Sequence, residues 1–156
     1  MNNKPYITYP SRPLEVQQID SVLSKCYINE AGQISFGVID CAPGWFIALH
    51  HHYIWGLIII DSSSAGPGYT LFKGRWWRVD PGNSVFLPKG CPYAWSSGND
   101  NGFKMLWFFG GAYEEAGPVY DVNPQASQPI TRDEERNAPS WTAEEVLKRE
   151  EIKGGI

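Results

Sequence analysis

At 156 residues, with 42% hydrophobic and 19% charged side chains, the chain has the length and composition of one globular domain with a full core. Its net charge of −4 is uneven: through Tyr113 eight Lys/Arg stand against seven Asp/Glu, and from Glu114 onward five against ten, so no basic stripe is on offer to nucleic acid. No apolar run approaches the ~20 residues of a membrane helix, and Met1–Pro5 lacks the apolar centre of a signal peptide, which sets the expectation of a cytoplasmic protein without membrane contact.

Residues 1–13 hold prolines and tyrosines without periodicity and read as an extended N-terminal arm. A barrel is expected over 14–113. Strands are predicted around Val22–Ile28 and Ile34–Ile39, joined by a turn containing Gly32, then over Phe46–Tyr53 and Trp55–Ile60, the latter so apolar that both faces need cover. Tyr69–Phe72 and Arg75–Val79 flank the hairpin turn Lys73-Gly74. Ser84–Leu87, Tyr93–Ser96 and Lys104–Phe109 come next, with Pro88-Lys89-Gly90-Cys91-Pro92 bending the chain before Tyr93. Short strands spaced about 8–12 residues apart, with turn chemistry at each break, predict an all-β sandwich or barrel. Residues 114–156 read as an acidic linker and one short helix, about Ala143–Glu151, announced by the capping-box pair Thr142 and Glu145. Cys26, Cys41 and Cys91 are odd in number and lack C-x2-C spacing, so buried thiols are expected rather than disulfides or a zinc cluster.

The chemistry concentrates at His50-His51-His52. Successive strand side chains face opposite ways, so His50 and His52 share one face while His51 turns to the other; by the same rule Tyr93 and Trp95 point together. Transition-metal sites in enzymes generally take three protein ligands, and two imidazoles alone hold a metal weakly. Tyr93 could act as a third ligand only if the metal drove its phenol, of ordinary pKa about 10, to ionise. No cofactor is therefore expected, the alternative being a divalent transition metal weakly held by His50 and His52. The preferred reading has His50, His52 and Tyr93 lining a pocket and hydrogen-bonding a small-molecule ligand. Aromatics make up 14% of the chain, with seven Trp, and most fall between Trp45 and Trp107. Their polar edges suit a ligand-lined cavity, which makes Trp45, Trp55, Trp95 and Trp107 candidate ligand-stacking residues.

Two stretches carry a resemblance. Gly44-x5-His50-x-His52 and Gly82-x5-Pro88-x-Gly90-x2-Tyr93 resemble the two motifs of the cupin superfamily, which implies an all-β jelly-roll barrel. Metal-binding cupins place a Glu four or five residues after the second His, where this chain has Gly56 and Leu57, and a His where it has Tyr93. Half of that implied ligand set is missing. Gly66-Pro67-Gly68-Tyr69, the run Arg78–Tyr93 and Leu106-Trp107-Phe108-Phe109-Gly110 are further similar to the effector-binding domain of AraC-type transcription regulators, over about residues 44–111. That resemblance implies a sugar or other small effector inside the barrel, closed over by the N-terminal arm. Such regulators continue into two helix-turn-helix units, and here there is room for one short helix, so these residues are not expected to bind DNA.

Three functions stand open. A binding module would hold a sugar or sugar acid on Trp faces and on His50, His52 and Tyr93. An enzyme of isomerase, lyase or cyclase type would use His50 or His52 as base and Tyr93 as acid, with or without a metal. An interaction module would form a homodimer through an exposed edge and the tail.

Overall fold

The computed structural model describes residue 13 and residues 15–19, 22–30, 33–112, 117–120 and 128–140. The expected arm, apart from Pro13, and the helix expected over 143–151 lie outside the described residues.

Among the described residues ten strands run in chain order: β1 (Glu15–Ile19), β2 (Val22–Glu30), β3 (Ile34–Cys41), β4 (Phe46–His50), β5 (Gly56–Ile60), β6 (Gly68–Phe72), β7 (Arg75–Val79), β8 (Ser84–Leu87), β9 (Tyr93–Ser97) and β10 (Phe103–Phe109). They form a six-stranded sheet, β1-β2-β3-β10-β5-β8, and a four-stranded sheet, β4-β9-β6-β7, with every pairing antiparallel. The fold is the all-β jelly roll that the strand spacing and the two motifs imply.

Alternation fixes what faces inward. On β10, Phe103, Met105, Trp107 and Phe109 are buried while the residues between them are half-buried, and β5 buries Gly56, Ile58 and Ile60 in the same rhythm. From the other sheet Ile47, Tyr93 and Trp95 join these side chains in one core cluster. Each fully buried Ile or Phe contributes about 1.5–3 kcal/mol by leaving water. The turn between β6 and β7 needs two residues in the left-handed region. Lys73 (φ 50°) and Gly74 (φ 74°) supply it, as the hairpin reading requires.

Two elements lie beyond those expected from the sequence. The edge strand β1 pairs with β2, from Glu15 opposite Cys26 to Ile19 opposite Val22. In the segment read as linker, α1 (Arg132–Asn137) is capped by Thr131, whose side chain accepts from the backbone of Glu134 while the Glu134 carboxylate accepts from the backbone of Thr131. This helix is pinned to the four-stranded sheet by Glu135, whose carboxylate accepts from Asn99 N (3.3 Å), Asn99 Nδ2 (2.8 Å) and the Tyr69 hydroxyl (3.4 Å). Ile130 completes a second small core there with Tyr69, Trp76 and Ala94. Covered on both sides, β9 is buried at all five positions.

Candidate functional site

Strand β4 carries a register shift against β9 between Ile47 and His50. An extra residue in a strand reverses the facing of every residue after it. Trp45 and Ile47 thus face inward before the shift, and His50 and His52 after it, all four lining one cavity. His51 is buried but turned away from the cavity: its backbone pairs with Val119 (His51 N to Val119 O 3.1 Å, Val119 N to His51 O 2.8 Å), and its ring stands edge-on to Tyr53. The Pro88-Lys89-Gly90 turn is tied to the same place, since the amide of Gly90 donates to the carbonyl of His52 at 2.8 Å. Directly after the turn, Tyr93 sits opposite His50 in the ladder.

The ring centroids of His50 and Tyr93 are 4.5 Å apart, those of His50 and His52 5.0 Å, and those of His52 and Tyr93 5.8 Å. All three side chains are buried. Burial, then the neighbouring His52, lowers the His50 imidazole to about 3, against the upward pull of its bond to Ala48. Burial, then Cys91 and Tyr120, pushes the Tyr93 phenol well above its usual range. Both groups are uncharged near neutral pH. The cavity is about 60 Å³, room for about two waters at roughly 30 Å³ each.

Of the stacking candidates, Trp45, Trp95 and Trp107 line this cavity. Trp55 does not. It precedes the inward-facing Gly56, shares the outer face of β5 with Leu57 and Ile59, is 41% exposed and stacks on Phe86 at 6.1 Å. The sequence reading missed Phe109, whose ring lies 4.6 Å from His52, along with Pro118 in the wall and Tyr120, 5.8 Å from His50. Phe109 was readable from its alternation with Trp107. Pro118 and Tyr120 arrive from a distant segment that carries no local signal.

The position where the cupin motif would place an acid is Gly56. It faces inward, but a Cβ built there would meet Phe109 Cε1 at 2.7 Å, so the phenyl ring fills the space in front of it. Among the described residues no three His, Cys, Asp or Glu side chains come together as a metal site. The two imidazoles do not amount to the donor set that a catalytic transition metal takes.

The AraC-like ligand binding domain family matches residues 34–109. Among solved structures, the polyketide cyclase RemF from Streptomyces resistomycificus is similar at 16% identity, covering 84% of this chain and 90% of its own, with a TM-score of 0.63. An RmlC-like cupin from Shewanella frigidimarina is similar at 16% identity, covering 73% and 97%, with a TM-score of 0.59. The DMSP lyase DddQ from Ruegeria pomeroyi is 26% identical, covering 76% of this chain and 61% of its own, with a TM-score of 0.56. A search of curated proteins returned no match. With its two antiparallel sheets, both sequence motifs and this family match, the chain is a cupin barrel that resembles the ligand-binding domain of AraC-type regulators.

Proposed function

We propose that the chain is a small-molecule-binding barrel, its ligand held between the indole faces of Trp45, Trp95 and Trp107 and the polar cluster of His50, His52 and Tyr93. The observation that carries this reading is the burial of that cluster, which acts on the charge states of His50 and Tyr93. A general base works best with a pKa near the operating pH, and His50, at about 3, is far below it. Tyr93, raised by burial, is an equally reluctant acid. Groups held neutral in this way donate and accept hydrogen bonds without exchanging protons. A small sugar is the finer candidate, because its apolar ring face suits indole and its hydroxyls suit imidazole. A cavity of about 60 Å³ is below the ~150 Å³ that admits benzene. A ring therefore enters by displacing the segment at Pro118, which two backbone hydrogen bonds tie to His51 and one side-chain bond ties to His52.

The test is calorimetric and fluorimetric titration with a panel of neutral monosaccharides. At least one should bind and change the tryptophan emission, and Tyr93→Phe should weaken it by about tenfold, the worth of one buried hydrogen bond. If no panel member binds to the parent, the sugar assignment fails. A second reading, a cupin enzyme, is favoured by the packing of two imidazoles and a phenol in one cavity and by the likeness to proteins described as a cyclase and a lyase. In that reading His52 takes the proton. Chemical conversion of a bound compound, abolished by His52→Asn, would establish it over simple binding.

A further inference from the structure

An antiparallel sheet that turns one face to water alternates apolar inward positions with polar outward ones. The six-stranded sheet departs from that rule. Cross-strand neighbours on β3, β10, β5 and β8 line up as Phe36, Phe108, Leu57 and Phe86, and a further outward row on β3, β10 and β5 is Val38, Leu106 and Ile59. All point away from the cavity, since the residues between them on each strand are the buried ones. Phe36 stacks on Phe108 at 4.6 Å and Phe86 on Trp55 at 6.1 Å, yet Phe86 is 56% and Trp55 41% exposed. Charge enters one row further along, where the Asp40 carboxylate lies 3.8 Å from Lys25 Nζ and 3.9 Å from Lys104 Nζ. The four-stranded sheet meets the same demand within the chain. Ile130, just before α1, packs on its outward residues Tyr69, Trp76 and Ala94. Among the described residues the six-stranded sheet has no such cover, because α1, the one helix among them, is tied to the other sheet.

We propose that this face is the contact between two copies of the chain, joined sheet to sheet about a two-fold axis. Size, composition and charge each point to a second copy. Six strands about 4.8 Å apart and about 17 Å long present roughly 500 Å², so two faces together bury roughly 1,000 Å², the size from which specific association starts. Homodimer interfaces are more apolar than the surfaces through which different proteins meet transiently, and this face is apolar across four strands. A different partner would be selected by complementary charge, whereas Asp40 at this rim is already shared between two lysines of its own chain. The contact runs through a sheet face, not through the edge and tail expected of an interaction module, and it does not depend on what the barrel holds.

Sedimentation equilibrium of the full chain over a range of micromolar concentrations tests it. The parent should sediment at twice the mass of one chain. Phe86→Glu places a carboxylate in the contact twice, once from each copy, and should raise the dissociation constant by roughly hundredfold or more. Arg75→Glu, exposed on β7 of the other sheet, should leave it unchanged. Circular dichroism checks that each variant keeps its strands. Should Phe86→Glu fail to fold, Ser84→Arg takes its place: Ser84 is exposed and stands opposite Ile59 on the same face, so the substitution removes no apolar contact within the chain. A parent that stays at the mass of one chain overturns the proposal. A dimer that survives both Phe86→Glu and Ser84→Arg overturns it too, because the copies then meet elsewhere.

Discussion

Trp107 is the wall residue whose seat can be tested most directly. It lies directly opposite Gly37 in the β3–β10 ladder, and a Cβ at Gly37 would fall well inside van der Waals distance of Trp107 Cζ2 and Cε2 and of the backbone oxygen of Lys25. The indole therefore lies flat over its cross-strand glycine. In an open strand, Gly→Ala would stabilise by about 0.5–1 kcal/mol. Overpacking a well-filled core costs about 1–3 kcal/mol, and here one of the obstructing atoms is backbone, which cannot rotate away. The upper end of that range applies, leaving Gly37→Ala destabilised by about 2 kcal/mol net. At about 2–4 °C per kcal/mol for a chain of this size, the melting temperature should fall by about 4–8 °C. Urea unfolding gives the free energy directly. Adding Trp107→Phe to Gly37→Ala should recover part of the loss, because a smaller ring relieves the same clash, so the two changes will not add. A neutral or stabilising Gly37→Ala would refute the seat, and with it the account of how the cavity wall is held.

The His50 imidazole predicts a pH dependence with a definite sign. Its folded pKa of about 3 lies below the ordinary 6.5, so the unfolded chain binds a proton that the folded chain refuses; stability is full above about pH 6.5 and falls toward pH 3 by about 1.4 kcal/mol per pH unit. Urea unfolding between pH 4 and 6 should show that slope, and His50→Gln should remove it; an equal slope in the variant would sink the assignment. Glu135→Ala, which strips three hydrogen bonds from the docked helix, should cost about 1–2 kcal/mol in the same assay. Arg132→Ala, losing an exposed pair with Asp100, should leave the melting temperature unchanged. Converting Gly56→Glu and Tyr93→His should raise zinc affinity at least tenfold by calorimetry only once Phe109→Ala has cleared the space in front of position 56. A gain with Phe109 intact would show that the ring does not block that position.

The part of the molecule legible in the sequence is the part governed by local periodicity. Strand alternation brings His50 and His52 to one side and Tyr93 and Trp95 to one side, and the structure places all four around one cavity. Alternation fails where an irregularity resets it. The register shift after Ile47 is what lets Trp45 and Ile47 share a cavity with His50 and His52, and no residue type announces it. Trp55 departs from expectation for a related reason: the strand begins at Gly56, and a glycine holding the inward face looks like a gap until the ring that fills it is seen. The docked helix does carry a signal, because Thr131-Arg132-Asp133-Glu134 has the same capping-box form as the pair at Thr142 and Glu145.

The two departures from the metal-binding motif act on the same end of the cavity and in the same direction. Glycine at position 56 removes the acid and admits Phe109, whose ring then packs on His52. Tyrosine at position 93 replaces a metal donor with a phenol that burial keeps protonated. An acid left beside His50 would have favoured the imidazolium, since an opposite charge a few ångströms away raises an imidazole's pKa. Without it, burial sets the balance, and His50 stays neutral far into the acid range. The missing acid and the neutrality of His50 are therefore linked, and the bond from its Nδ1 to the carbonyl of Ala48 leaves Nε2 as the acceptor of that ring. A site of this kind keeps two histidines oriented into the cavity without the full donor set of the metal-binding motif among the described residues. On that argument, Gly56 and Phe109 do as much as the histidines themselves to decide what the barrel can hold.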